Sequence, residues 1–333
     1  MNLYTSLKNS SIILIILGGF YLAAQLFNYS KIDDPTTEHI GSEYMSKYNV
    51  YALKTPGNIM FAGEQVPLER WDVKESFDRE LLVNTYWQSQ TLLFIKRANR
   101  YFPIIEPILK EQGVPDDFKY LALIESGLVP TIKSPAGAVG IWQFMQGTAK
   151  DYGLEVENEV DERYNIEKST IAACKYLKQS YEKYGSWTLV AASYNAGRRF
   201  VSEQLKKQDA GSYFDLLLGD ETGRYVFRIM AIKRIMENPA DFGFLFRESD
   251  LYPNIPTYKV KITTNVEDFA VFAKENGVNY KLLKHFNPWL RKAYLTNKYK
   301  KEYEITLPAK GYINFAFSEY KNPIDSVSVK STN

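Results

Sequence analysis

Between Ser76 and Asn238 apolar residues recur at helical spacing and no stretch alternates as a strand does, which commits this part of the chain to an α domain. Leu81, Leu82, Leu92, Leu93 and Ile95 mark one long segment running to about Tyr101. Ile104, Ile105, Ile108 and Leu109 mark a second helix that closes at Gly113. Asn165 is placed to cap a long helix ending at Gly185, and Ser186 to cap the next, which stops at Gly197. Further helices fit 200–207 and 224–238, with Pro239 as a stop. Beyond Pro253 the period changes. Tyr258-Lys259-Val260-Lys261-Ile262 and Tyr303-Glu304-Ile305-Thr306-Leu307 alternate, with two short helical pieces between them, so residues 249–309 read as a small β-α-α-β module. Residues 28–75 are polar and broken by proline and glycine, as in a tether followed by an extended arm lying on the next domain. Residues 310–333 read as a loose tail. A composition 45% hydrophobic and 15% aromatic suffices for one large core and one small one.

Within the α domain, spanning 76–248, one position is out of keeping with its neighbours. Pro115 suits a first helical position, and Asp116 and Asp117 complement the positive end of a helix starting there. On that helix Phe118, Leu121, Ala122 and Glu125 share a face, so a carboxyl ends an apolar stripe. Taking a carboxylate out of water raises its pKa and keeps it protonated near neutrality, ready to donate. Gly127 and a glycine-rich loop follow at once, which argues against a glutamate that merely points into solvent.

Charge and cysteine usage exclude several classes. The net charge is +2, which gives no nucleic-acid signature for the whole chain, although 255–310 holds eleven Lys/Arg against five Asp/Glu, as in a site for an anionic polymer or an ordinary solvated basic surface. Cys174 is alone, so no intramolecular disulfide forms, and its helical setting suits a buried structural thiol. His39 and His285 are far apart and no Cys/His cluster has ligand spacing, so neither a metal nor another cofactor is expected. From Ser11 to Phe27 the chain carries no charge and Lys8 precedes it, as in an export or anchoring segment spanning 1–27. No cysteine follows to carry a lipid.

Three more stretches carry chemistry. In Gly140-Ile141-Trp142-Gln143-Phe144-Met145, glycine allows close backbone approach and Trp142, Phe144 and Met145 offer flat apolar surface to a sugar ring. Ser193-Tyr194-Asn195-Ala196-Gly197 sets a phenol and an amide at a helix end, and Glu221-Thr222-Gly223-Arg224-Tyr225-Val226 opens a late helix. Taken with Glu125-Ser126, and in this order, they resemble the four motifs of family 1 lytic transglycosylases, the lysozyme-like SLT enzymes that cut peptidoglycan glycan strands. The resemblance runs from about Val50 to Leu307. It implies a mainly α fold, a lysozyme-like helical catalytic domain followed by a LysM-like module, with Asn287-Pro288 and Leu307-Pro308 in the expected places. It also implies that Glu125 is the acid/base, that Tyr225 orients it, and that Ser126, Gly140, Gln143, Phe144, Met145, Tyr194 and Asn195 line the saccharide groove. Gln146 departs from the family, where proline is common, and no clear LysM repeat follows the module.

Ordinary glycosidases use two carboxylates, yet no Asp or Glu lies between Ser126 and Lys150. A single-acid route fits, in which the muramyl 6-hydroxyl attacks C1 and leaves a 1,6-anhydro end. The expected partner is peptidoglycan in the periplasmic cell envelope, with the N-terminal segment at the membrane. A goose-type muramidase hydrolysing the same bond and a non-catalytic glycan-binding envelope protein are the competing readings.

Overall fold

Ala62 and Gly63 both adopt positive φ, which suits the tight two-residue turn of a hairpin between β1 (Met60–Phe61) and β2 (Glu64–Gln65). The computed structural model in which this hairpin is seen describes residues 50–312; the uncharged segment 11–27, the tether up to residue 49 and the tail from 313 lie outside the described residues. The hairpin is fixed to the helical domain at two points. Asp117 accepts a hydrogen bond from the Ala62 N–H at 2.6 Å. Glu64 accepts from the N–H groups of Trp187 and Thr188, so a residue of the arm caps the helix that Ser186 was expected to cap. Ser186 donates its own hydroxyl to the same carboxylate. Phe61, Val66 and Leu68 are buried in the main core, which makes this part of the arm a wall of the domain.

The first helix, α1 (Trp71–Tyr86), begins five residues earlier than the periodicity suggests, because Arg70 at its start provides no side-chain cap to mark it. It breaks at Trp87 and resumes as α2 (Gln88–Glu111), whereas the sequence reads as one segment to Tyr101 with a break beyond. At the break, the Thr91 hydroxyl donates to the Asn84 carbonyl and the Asn84 amide donates to that of Glu80, so side chains satisfy carbonyls near the bend. Pro103 and Pro107 sit inside α2 without ending it. Spaced four apart, they share one face, outside the row of buried Phe102, Ile105 and Leu109, so the lost bonds fall on one side of the helix.

Helix α3 (Phe118–Ser126) packs between α2 and a later helix, α8 (Asp220–Glu237), with Phe118, Leu121, Ala122 and Leu123 fully buried. Between them in the chain come α4 (Gln146–Asp151), α5 (Ile166–Tyr184), α6 (Trp187–Ala196) and α7 (Arg198–Gln208). Asn165 caps α5 through the Lys168 N–H, as its position suggests. Cys174 lies fully buried in α5, and burial pushes its thiol up to about 12.

The C-terminal unit is β-α-α-β: β3 (Thr257–Ile262), α9 (Phe269–Glu275), α10 (Tyr280–Phe286) and β4 (Tyr303–Pro308), the strands antiparallel with Val260 opposite Ile305. Its core of Phe269, Leu283, Ile305 and Leu307 continues into Val139, Val160 and Tyr164 of the helical domain. Backbone pairing crosses the seam, with the Asp161 N–H donating to the Trp289 carbonyl at 2.9 Å and the Arg291 N–H to that of Glu159 at 2.7 Å.

Candidate active site

The helix that carries Glu125 starts three residues after Pro115, because Pro115-Asp116-Asp117 form a turn of i to i+3 hydrogen bonds. Asp117 is drawn into tertiary contacts with the Ala62 N–H and with Lys233 of α8 at 2.6 Å. At the other end Gly127 takes φ +58° and its N–H closes on the Leu123 carbonyl. Arg97 of α2 donates to the Gly127 carbonyl, fixing the end that presents Glu125.

Glu125 is partly exposed, and the buried Tyr225 of α8 donates its hydroxyl to one carboxylate oxygen. Burial pushes the Glu125 carboxyl up to about 7. The Tyr225 hydrogen bond pulls it down, the charge of Glu221 pushes it up and Arg228 pulls it down. Both Tyr225 and Tyr194 are held well above the ordinary phenol value, first by burial and then by the charge of Glu125, so they stay neutral donors. An acid that is about half protonated at neutral pH, oriented by a neutral phenol, is equipped to give a proton and take one back.

The glycine loop is built from inside. Gly140 has φ +77°, and a Cβ there would lie 2.0 Å from the carbonyl oxygen of Arg163. Arg163 pairs with Asp161 through two hydrogen bonds of 2.9 and 2.8 Å and donates to the carbonyls of Gly137 and Phe144, clamping both ends of the loop. Gln143, at φ +48°, folds its amide back onto the Gly140 carbonyl. Trp142 and Phe144 do not offer flat faces to a ligand: both are buried, and the Trp142 indole donates to Thr170. Tyr194 packs against both rings and donates to the Trp142 carbonyl at 2.7 Å. Ser126 is also buried, its hydroxyl donating to Ala122 and accepting from the Leu128 N–H.

Of the motif side chains assigned to the groove, those open to a ligand are therefore fewer than the motifs suggest: Gln143, Met145, Tyr194 and Asn195, with Met145 the most exposed at 47%. Asn195 is tied to α8, accepting from Thr222 at 2.8 Å and donating to Glu221 at 3.3 Å, so the third and fourth motifs meet here. Three contributors escape sequence reasoning. The Asp161–Arg163 clamp, Arg228 and the buried Glu80, which pairs with Arg79 and Arg224, all read as ordinary surface charges. Only the Asp-x-Arg spacing of the first hints at a local pair. Among the described residues, no group of three His, Cys, Asp or Glu converges as metal ligands do.

A helical, lysozyme-like domain with one glutamate presented by α3 against α8, followed by a small LysM-like module, is the class this fold and site define. Residues 102–216 match the Transglycosylase SLT domain, and residues 258–311 match the Soluble lytic transglycosylase C-terminal LysM-like domain. Tyr225 lies beyond the first match. The chain is 28% identical to membrane-bound lytic murein transglycosylase D of Escherichia coli (strain K12) over 235 residues, 68% of this chain and 50% of the relative. It is 36% identical to peptidoglycan transglycosylase gp16 of Escherichia phage T7 over 132 residues, 38% of this chain and 10% of that protein. It is 28% identical to the soluble lytic murein transglycosylase of Escherichia coli (strain K12) over 33% of this chain and 19% of that one. The chain thus spans half the length of the first of these relatives, or less in the other two.

Proposed function

We propose that this chain is a peptidoglycan lytic transglycosylase, with residues 71–248 as its catalytic unit and Glu125 as its single acid/base. The observation that carries the reading is the Tyr225 hydroxyl donating to a Glu125 carboxyl whose pKa sits near 7. The names of the similar proteins, each a transglycosylase of murein or peptidoglycan, support the substrate class.

In this mechanism neutral Glu125 gives its proton to the β-1,4 glycosidic oxygen as the bond from C1 of N-acetylmuramic acid to N-acetylglucosamine breaks. The carbonyl oxygen of the substrate's own acetamido group stabilises the positive charge at C1. Ionised Glu125 then takes the proton from the muramyl C6 hydroxyl as that oxygen bonds C1. The 1,6-anhydro end forms, no water is consumed, and the attacking hydroxyl gains from being held in place. Glu221, the carboxylate whose charge reaches Glu125, is exposed and engaged by Asn195, which supports a one-carboxylate route. Gln143, Met145, Tyr194 and Asn195 are the side chains assigned here to the saccharide, with Gly140, Phe144 and Ser126 shaping the backbone beneath them.

Mass spectrometry of fragments released from purified sacculi tests the reading. Fragments ending in anhydro sugars are expected; ends carrying one added water would instead establish hydrolysis by a muramidase. Tyr225→Phe removes a hydrogen bond that holds the Glu125 pKa down. Its turnover is expected to fall about three- to tenfold while the alkaline limb of the pH–rate profile moves to higher pH. An unchanged profile would make Tyr225 a packing residue only.

The same reading places the protein in the periplasmic envelope, with the uncharged run 11–27 serving export or anchoring and the LysM-like module holding glycan. Among the described residues no helix is long and apolar enough to cross a membrane.

A further inference from the structure

The outward face of the two-stranded sheet is polar and exposed, and part of it turns toward the helical domain. Thr257 and Lys259 of β3, with Glu304 and Thr306 of β4 and the adjacent Glu302, form one wall of a cavity of about 540 Å³. The alternate residues Tyr303, Ile305 and Leu307 are buried in the module's core, so the strand period puts Glu304 and Thr306 on the cavity side. The opposite wall belongs to the helical domain: Arg100, Tyr101 and Ile104 of α2 and the first turn of α5. Neither unit makes the cavity alone.

Its charges are separated. The sheet wall sets Lys259 against Glu302 and Glu304, a net negative charge, and Lys259 is shared between Glu304 at 3.1 Å and, across the cavity, Glu167 of α5 at 2.5 Å. The helical wall sets Arg100 and Lys168 against Glu167, a net positive charge, and Arg100 is close enough to His285 of α10 that the guanidinium, after burial, holds the imidazole below its usual pKa. Arg100 is itself steadied by its Nε donating to the Pro253 carbonyl and by the Tyr252 ring. Phe286 and Trp289 also line the cavity. A neutral sugar has no charge to offer either side, whereas a short peptide bearing both a carboxylate and an ammonium meets Arg100 with one and the carboxylates with the other.

The geometry points to a peptide subsite at the seam between the helical domain and the LysM-like module, which takes a short zwitterionic peptide; this rests on the cell-wall reading, in which the stem peptides branching from the glycan are the source. Stem peptide released from sacculi by an amidase is titrated into the full chain carrying Glu125→Gln. Saturable binding is expected with a Kd on the order of 1 mM or tighter. Arg100→Ala and Glu304→Gln, each with an unchanged circular dichroism spectrum, are expected to weaken it about three- to tenfold. If Arg100→Ala misfolds, the exposed Glu304 position still decides the matter. No saturation at about 10 mM, or equal binding of glycan stripped of its peptides, overturns the subsite. Peptide binding without anhydro products from the unmodified chain would leave the subsite standing and reject the lytic activity. Anhydro products without peptide binding would do the reverse.

Discussion

Glu125→Gln is expected to lower glycan cleavage by about a thousandfold or more, since the amide can neither donate the proton nor take it back. The same substitution is expected to make the protein more stable, and more so at pH 8 than at pH 5. The Glu125 carboxyl is raised in the folded state to about 7, above its ordinary 4.5, because burial disfavours the charged form. The stability tied to its neutral form is therefore fully present below pH 4.5 and is lost as pH rises through about 7. At pH 8 the partly exposed carboxylate costs roughly 1–3 kcal/mol, which a glutamine avoids while still accepting from Tyr225. Anhydro-muropeptide release and thermal melts at the two pH values check both halves. Turnover persisting in the variant would remove Glu125 from the chemistry, and equal stabilisation at both pH values would remove the buried-acid explanation.

Gly140→Ala is expected to cost about 3 kcal/mol or more, seen as a fall in melting temperature of roughly 10 °C. The added Cβ would meet the Arg163 carbonyl oxygen at 2.0 Å and its carbon at 2.9 Å, at a φ of +77° that side chains rarely adopt. Backbone, not a flexible side-chain tip, must move, and the Arg163 clamp on Gly137 and Phe144 moves with it. Gly147→Ala is the control. Nothing lies within 4 Å of its Cβ and it sits in α4, so it is expected to be neutral or slightly stabilising. Equal melting temperatures for the two variants would show that the loop tolerates displacement at Gly140 and is less rigid than its contacts imply.

Much of this was legible in the residues because it follows from local periodicity. The apolar stripe ending at Glu125, the strand alternation after Pro253 and the cap at Asn165 each need only a few neighbouring positions. What was not legible depends on partners far along the chain. Glu64 caps α6 from more than a hundred residues away, so Ser186 looked sufficient. The bend at Trp87 carries no glycine or proline, while Pro103 and Pro107, which should break a helix, share an outer face where the loss is tolerable. Trp142 and Phe144 read as a sugar platform because aromatic residues serve cores and ligands equally; only the packing of Tyr194 and the Thr170 hydroxyl against them decides it. The surplus of Lys and Arg over 255–310 says nothing of how the charges divide, and the pairing of Lys259 with carboxylates from both walls emerges once the helical domain stands opposite.

The module is stitched to the helical domain through main-chain atoms at 159–161 and 289–291, next to the clamp that holds the glycine loop. Exchange of C-terminal modules between related enzymes therefore works only when the cut preserves that stitch. A graft made at the seemingly natural boundary near Pro253 would import a foreign surface onto Glu159 and Asp161, and the damage would surface as lost turnover far from the splice.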